Sequence, residues 1–302
     1  MTYRHPLAYL LGYEGLALHR AYAGEFDAAF AETRLAEVRE MIAAWDRGEL
    51  GAGDEVGEID TVTGYRSWSR TYDEPGNPLI AVEEPVVRQI LAGLPTGRAL
   101  DAACGTGRYA EMLAKAGHKV IGVDSSPDML AIARSKVSAA TFQLGELSRL
   151  PVADASIDLV VCGLALAHVA ALEPVFAEFA RVLRPGGRLV TSDIHWQSLY
   201  LGGIASAVDD NGVESRMPAG RFRPSDYIAA ALPEALQVRG CHEPLWPPSP
   251  YAGGPFVRAW AAGAADAAYE NTPAAVIWHL EKDARPSGEH GKMQNRSTRD
   301  RL

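Results

Sequence analysis

The stretch RALDAACGTGRYAEMLAKAG, residues 98–117, limits the fold of this chain more than any other feature. A short apolar run leads into glycines at 105 and 107, and a helical pattern of apolar residues starts at once. Glycines at such a junction let the backbone turn sharply and bring the amide groups of a helix start close to a ligand. The alternation then continues. KVIGVD (119–124) is a second strand, SPDMLAIARSKV a helix with Ser126 as N-cap and Pro127 in its first turn, and TFQLGE (141–146) a third strand. IDLVVC (157–162) is a fourth, EPVFAEFARVLRPGG a helix with a Pro-Gly-Gly stop, and RLVTSDI (188–194) a fifth. Short apolar runs separated by helices predict an α/β fold with a parallel sheet covered on both faces. Two later strand-like runs, LQVRGCHE and AAVIWHLE, flank a helix at about 256–269.

The remaining segments differ in character. Residues 7–23 and 27–46 have helical spacing, with Asp27 as N-cap of the second, while the acidic, Gly-rich 47–60 reads as a linker. Short helices are expected at 62–72 and at 84–93, where Pro85 suits a first turn. A polar insert covers 196–235, and the residues from Asp283 onward lack periodicity. The expected organisation is a helical cap over 1–95, a sheet core over 96–282 and a disordered tail over 283–302.

Charge and cysteines narrow the partners. Asp and Glu number 38 against 29 Lys and Arg, a net −9 that repels phosphate, so a small molecule is expected rather than nucleic acid or a membrane surface. Gly12, Glu14 and Gly15 interrupt the apolar amino terminus, which argues against a signal peptide, and no run reaches the ~18 apolar residues of a membrane span. Cys104, Cys162 and Cys241 lack ligand spacing, which indicates neither a disulfide framework nor a metal site and suits a reducing cytoplasm. The apolar first helix suits burial in its own core or in a homodimer.

GTGRYA alone satisfies the G-x-G-x-x-G/A pattern of dinucleotide enzymes. Asp101, four residues before the first glycine, would repel a pyrophosphate there and attract a cation. S-adenosylmethionine carries a sulfonium and an ammonium and no phosphate, so the acid favours it over NAD. Asp124, at the tip of the second strand, is placed to accept hydrogen bonds from ribose hydroxyls, Glu146 to receive an adenine amino group, and Leu147 to offer its backbone amide.

The ordered segments ALDAACGTGRYAEML, VIGVDSSPDML, GELSRLPVADASIDLVVC and FARVLRPGGRLV resemble the class I S-adenosylmethionine-dependent methyltransferases, in their small-molecule branch, over about 96–195. The resemblance implies a Rossmann-like, seven-stranded, mostly parallel sheet with an antiparallel last strand, the late pair of runs being similar to the family's antiparallel sixth and seventh strands. It implies S-adenosylmethionine as cofactor, S-adenosylhomocysteine as product, and cofactor contacts from Asp101, Ala103, Cys104, Gly105, Gly107, Asp124, Ser125, Met129, Glu146, Leu147 and Leu164. Ala103 stands where the family has glycine, which an unstrained backbone would tolerate.

Methyl transfer needs alignment, exclusion of water and, for a protonated nucleophile, a base. His168 and His195 follow the fourth and fifth strands, at the sheet edge where α/β proteins bind ligands, and are the base candidates. Tyr65, Trp68 and Tyr72 share a helix face that resembles the family's closing element; Tyr72 is the candidate hydroxyl near the methyl group, and Trp68 is assigned to the cap's core. Tyr65, Trp196, Tyr200 and Phe222 are the acceptor candidates, with Arg216, Arg221 and Arg223 in the insert and Trp246 and Tyr251 as a further wall. The expected activity is methylation of a small molecule of secondary metabolism, at oxygen before nitrogen or carbon. The alternatives are cyclisation of the cofactor or a sulfonium-assisted rearrangement, then an inactive S-adenosylmethionine-binding protein, then an NAD-dependent oxidoreductase.

Overall fold

The computed structural model describes residues 1–68, 76–203, 205–209, 211–248 and 254–284. Strand β1 (Thr2–Arg4) precedes helices α1 (Pro6–Tyr22) and α2 (Ala28–Asp46). Asp27 caps α2 by accepting the Phe30 N–H at 2.8 Å, which satisfies an amide that the helix start leaves without a partner. The stretch expected as a linker contains a strand, β2 (Asp54–Glu58). Helix α3 (Thr61–Trp68) follows, then α4 (Pro78–Ala92). That last helix starts earlier than expected: Asn77 is its cap, Pro78 occupies the first turn, and Pro85 lies inside the helix.

The sheet core runs through β3 (Arg98–Ala102), α5 (Arg108–Lys115), β4 (Lys119–Asp124), α6 (Pro127–Lys136), β5 (Thr141–Leu144), β6 (Ile157–Gly163), α7 (Glu173–Val182) and β7 (Leu183–Ile194). The insert holds α8 (Trp196–Tyr200), β8 (Ser206–Val208), β9 (Glu214–Arg216) and α9 (Pro224–Ala231). Strand β10 (Leu236–His242), helix α10 (Gly254–Tyr269) and strand β11 (Ala275–Lys282) complete the described chain. Of the tail expected to be disordered, 283–302, residues 285–302 lie outside the described residues, whereas the Asp283 N–H donates to the Ala235 carbonyl at 2.8 Å.

The seven-stranded sheet has the order β10-β11-β7-β6-β3-β4-β5. Only β11 is reversed: it pairs antiparallel with both β7 and β10, so β10 points with the other strands rather than against them. The chain leaves β3 toward β4 and β5, then returns to place β6 on the other side of β3. Such a reversal opens a crevice at the carboxyl ends of β3 and β6, where the glycine turn and residues 163–168 lie.

Strand β6 explains its unbroken apolar run. Val160 and Cys162 pack into the cluster under α7 that holds Phe176 and Phe179, while Leu159 and Val161 pack into the opposite cluster with Tyr109 and Leu113 of α5. A third cluster joins Leu10, Tyr13 and Ala17 of α1 and Met41 of α2 to the alanines of α10, including Ala261, Ala264, Ala265 and Ala268. The apolar stripe of α1 is therefore covered within the chain. Small residues on α10 let these helices approach closely.

Strands β1, β2, β9 and β8 form a second sheet in that order. It ties the amino terminus to the insert, with β2 parallel to β9.

Candidate active site

Gly105 lies in the left-handed region at φ +51, and a Cβ placed there would meet no protein atom within 4 Å. The space beside the turn is open to a ligand. The Gly105 N–H donates to Asp124 Oδ2 at 2.7 Å, and the Ser126 N–H donates to Oδ1 at 2.8 Å. One carboxylate thus fastens the turn after β3 to the tip of β4. Burial pushes the Asp124 carboxyl above its ordinary range, against the opposing pull of those amides.

A cavity of about 440 Å³ opens over this turn. Ala103, Gly105, Asp124, Ser125, Met129, Glu146, Leu147 and Leu164 line it, together with Tyr65 and His168. Three of the expected contacts lie behind the wall. Asp101 is 1% exposed and accepts the Ala110 N–H at 2.7 Å, so it anchors the start of α5 instead of facing the cavity. Burial, with Asp124 nearby, pushes its carboxyl up to about 7. Cys104 is buried with its N–H donating to the Val123 carbonyl, and Gly107 caps α5 at φ +86. Ala103 adopts φ +56, so the methyl group does not sit on an unstrained backbone. Leu164 shares that strained region, also at φ +56.

A second cavity, of about 270 Å³, adjoins the first. Tyr65, Leu164 and His168 line both. Tyr9 and Tyr13 of α1, Trp68 of α3, Asp193 of β7, Ser198 of α8, Trp246 and Tyr269 form much of the rest. At the junction His168 Nδ1 stands 2.8 Å from the Pro218 carbonyl oxygen. A carbonyl only accepts, so Nδ1 carries the proton and the neutral ring keeps a lone pair on Nε2. The Tyr65 ring meets the imidazole edge-on, with centroids 5.6 Å apart. Burial lowers the His168 pKa, which keeps the ring neutral near pH 7.

The other base candidate stands elsewhere. His195 is 3% exposed and lines neither cavity. Its Nδ1 accepts the Gln197 N–H as the cap of α8, and its Nε2 lies 3.0 Å from Glu243 Oε1. Trp196, Tyr200 and Phe222 also line neither cavity. Tyr200 is 66% exposed, Trp196 lies between His195 and Tyr200, and Phe222 packs on the core beside Tyr227. Tyr72 and Tyr251 lie outside the described residues. Trp68, assigned to the cap's core, instead walls the second cavity and donates from Nε1 to the Ser206 carbonyl at 3.1 Å.

Sequence reasoning missed Asp193, Tyr9, Tyr13 and Tyr269. A polar residue at the carboxyl end of a sheet strand was the available signal for Asp193. The tyrosines read as ordinary members of apolar helix stripes.

No lysine or arginine lines the first cavity among the described residues, whereas Asp124 and Glu146 do. That lining fits a cofactor bearing a sulfonium and an ammonium and opposes a pyrophosphate. Residues 100–191 match the methyltransferase domain family. This segment is a class I S-adenosylmethionine-dependent methyltransferase domain. S-adenosylmethionine is the cofactor of such a domain.

Among curated proteins, an uncharacterised protein of a Streptomyces fradiae transposon is 42% identical over 122 residues, which span 38% of this chain and 35% of that one. The malonyl-[acyl-carrier protein] O-methyltransferase of Serratia marcescens is 29% identical over 177 residues, 57% of this chain and 68% of its own length. The chain spans about a third to a half of the length of six further curated relatives that it matches. Among solved structures, the DhpI–SAH complex superposes with a TM-score of 0.52 at 19% identity, covering 74% of this chain and 96% of that one. At that identity the likeness shows the fold of the methyltransferase domain.

Proposed function

We propose that this chain transfers a methyl group from S-adenosylmethionine to a hydroxyl of a small molecule. The meeting of the two cavities at His168, Leu164 and Tyr65 carries this reading. Asp124 would hold the ribose, Glu146 and Leu147 the adenine, and the turn at Gly105 the amino-acid end. The segments 1–95 and 196–235 would enclose the acceptor, since the second cavity takes residues from both. The name of the Serratia relative, an O-methyltransferase, supports oxygen as the nucleophile. No helix of the described residues is long and apolar enough to cross a membrane, and the three cysteines are free, which supports a place in the cytoplasm.

S-adenosylmethionine, when bound, supplies a methyl group already activated by its sulfonium. His168 Nε2 would take the proton of the acceptor hydroxyl as its oxygen bonds the methyl carbon and the carbon–sulfur bond breaks, with S-adenosylhomocysteine as the leaving group. The Pro218 carbonyl holds the Nδ1–H and favours the imidazolium that results. The aromatic walls exclude water and fix the angle of approach.

Calorimetry with S-adenosylmethionine, followed by mass spectrometry after incubation with a set of phenols and amines, tests the proposal. Cofactor binding and S-adenosylhomocysteine formation are expected. Methylthioadenosine would establish cyclisation of the cofactor in its place, and absence of cofactor binding would remove the function altogether.

A further inference from the structure

The second cavity has one carboxylate in its wall and, among the described residues, no lysine or arginine. That carboxylate, Asp193, is 2% exposed. Its Oδ2 accepts the Ala167 N–H at 2.5 Å and its Oδ1 accepts the Ile194 N–H at 2.7 Å. Ala167 lies beside His168 in the Leu166–His168 turn, so the same carboxylate positions the base and faces the acceptor space. A carboxylate oxygen can accept more than one hydrogen bond, and each Asp193 oxygen has capacity left. Neighbouring polar groups are already engaged. Ser198 donates to the Pro273 carbonyl and accepts from Trp246 Nε1, both at 3.1 Å, while the Tyr9 and Tyr13 hydroxyls are 2.7 Å apart.

We propose that Asp193 sorts acceptors by charge, so that the chamber takes a phenol or an aromatic amine that donates a hydrogen bond to it and excludes an aromatic carboxylate. This rests on the methyl-transfer reading of the site and names its substrate class. Where Asp193 is ionised, an entering carboxylate would lose its water and meet a like charge that no lysine or arginine of the described wall offsets. A hydroxyl or amino group would meet an acceptor already oriented by two backbone amides. The ring would meet Tyr13, Trp68, Trp246 and Tyr269, whose edges and faces suit a planar partner. For the hydroxyl acceptor proposed above, the nucleophile is then a phenolic oxygen and not a carboxylate oxygen, in contrast to the malonyl group that the Serratia relative is named for.

The test uses 2-naphthol, 2-naphthoate and methyl 2-naphthoate on protein saturated with S-adenosylhomocysteine, with tryptophan fluorescence as the readout because Trp68 and Trp246 line the chamber. At pH 8, 2-naphthol and the uncharged ester should each bind about tenfold or more tightly than 2-naphthoate. In Asp193→Asn the advantage of 2-naphthol over 2-naphthoate should shrink to about threefold or less. Equal or tighter binding of 2-naphthoate, no binding by any probe, or an unchanged ratio in Asp193→Asn would overturn the proposal. Should that variant not fold, the ester against acid comparison on the wild-type protein decides alone. Calorimetric binding of S-adenosylhomocysteine without discrimination defeats the charge filter and leaves methyl transfer standing. Loss of that cofactor-product binding defeats both.

Discussion

Gly105 gives its backbone N–H to Asp124 across the gap between two neighbouring strands, at 2.7 Å, and so shapes the mouth of the larger cavity. Asp124→Ala removes the acceptor for both Gly105 and Ser126. Asp124→Asn retains only one suitable oxygen and turns an amide toward a donor. Both variants should weaken S-adenosylmethionine binding by about tenfold or more in calorimetry and lower stability by ~1–2 kcal/mol, the scale of an unsatisfied buried amide. Undiminished affinity in both would remove Asp124 from the cofactor site.

The backbone angles of the same turn make a contrasting pair of substitutions. Ala103 holds φ +56, a region that costs a non-glycine residue roughly 1–2 kcal/mol, so Ala103→Gly relieves strain while adding chain entropy of about 0.5–1 kcal/mol. The net expectation is a neutral or slightly stabilising change. Gly107 at φ +86 behaves oppositely, because an added Cβ would also lie 3.3 Å from Ala133 and from Val137. Gly107→Ala should lower the denaturant midpoint where Ala103→Gly does not.

The parts of the fold that were legible are those whose signal is local. A strand, a glycine turn and a capped helix occur within residues 98–117, and β6 carries both of its buried faces in one run of seven. Strand β2 was hidden because its five residues bury little besides Val56, and its partners β1 and β9 lie far away in the chain. The second cavity was hidden for the same reason: Tyr9, Trp68, Asp193 and Trp246 converge only after the long connections close. Phe222 looked like a pocket residue because it is aromatic in a polar insert, yet that insert also covers one face of the sheet. His195 looked like a base because it follows a strand, but the chain turns into α8 at that point and uses the imidazole as a cap.

The two carboxyls pushed up to about 7, Asp101 and Asp193, give stability a definite pH sense. Burial raises each one in the folded state, and Asp101 faces Arg108 and Asp124. Between about pH 4, where the unfolded chain ionises, and about pH 7 the folded protein binds more protons. The contribution of Asp101 to stability therefore falls as pH rises through that window and levels off above it. Asp101→Asn keeps an oxygen for the Ala110 N–H and removes the charge. Measured by denaturant unfolding, its stability relative to wild type should rise from pH 5 to pH 8. A constant difference over that range would mean that Asp101 titrates as an ordinary carboxyl.

His168 and His195 separate chemistry from architecture. His168→Gln keeps a polar side chain at the junction of the cavities but offers no titrating nitrogen to the acceptor. Loss of a general base costs about 10²–10⁴-fold, so kcat should fall within that range while the calorimetric affinity for S-adenosylmethionine changes little. Because burial lowers its pKa, the wild-type rate should show a His168 limb below about pH 6.5, and in the variant that limb should disappear. His195→Ala should do the reverse. Its removal leaves the first turn of α8 uncapped and Glu243 without its partner, at about 1 kcal/mol for the cap. Thermal unfolding should shift downward with the pH limb intact. A His195 variant that kept its melting point but lost the limb would exchange the two roles.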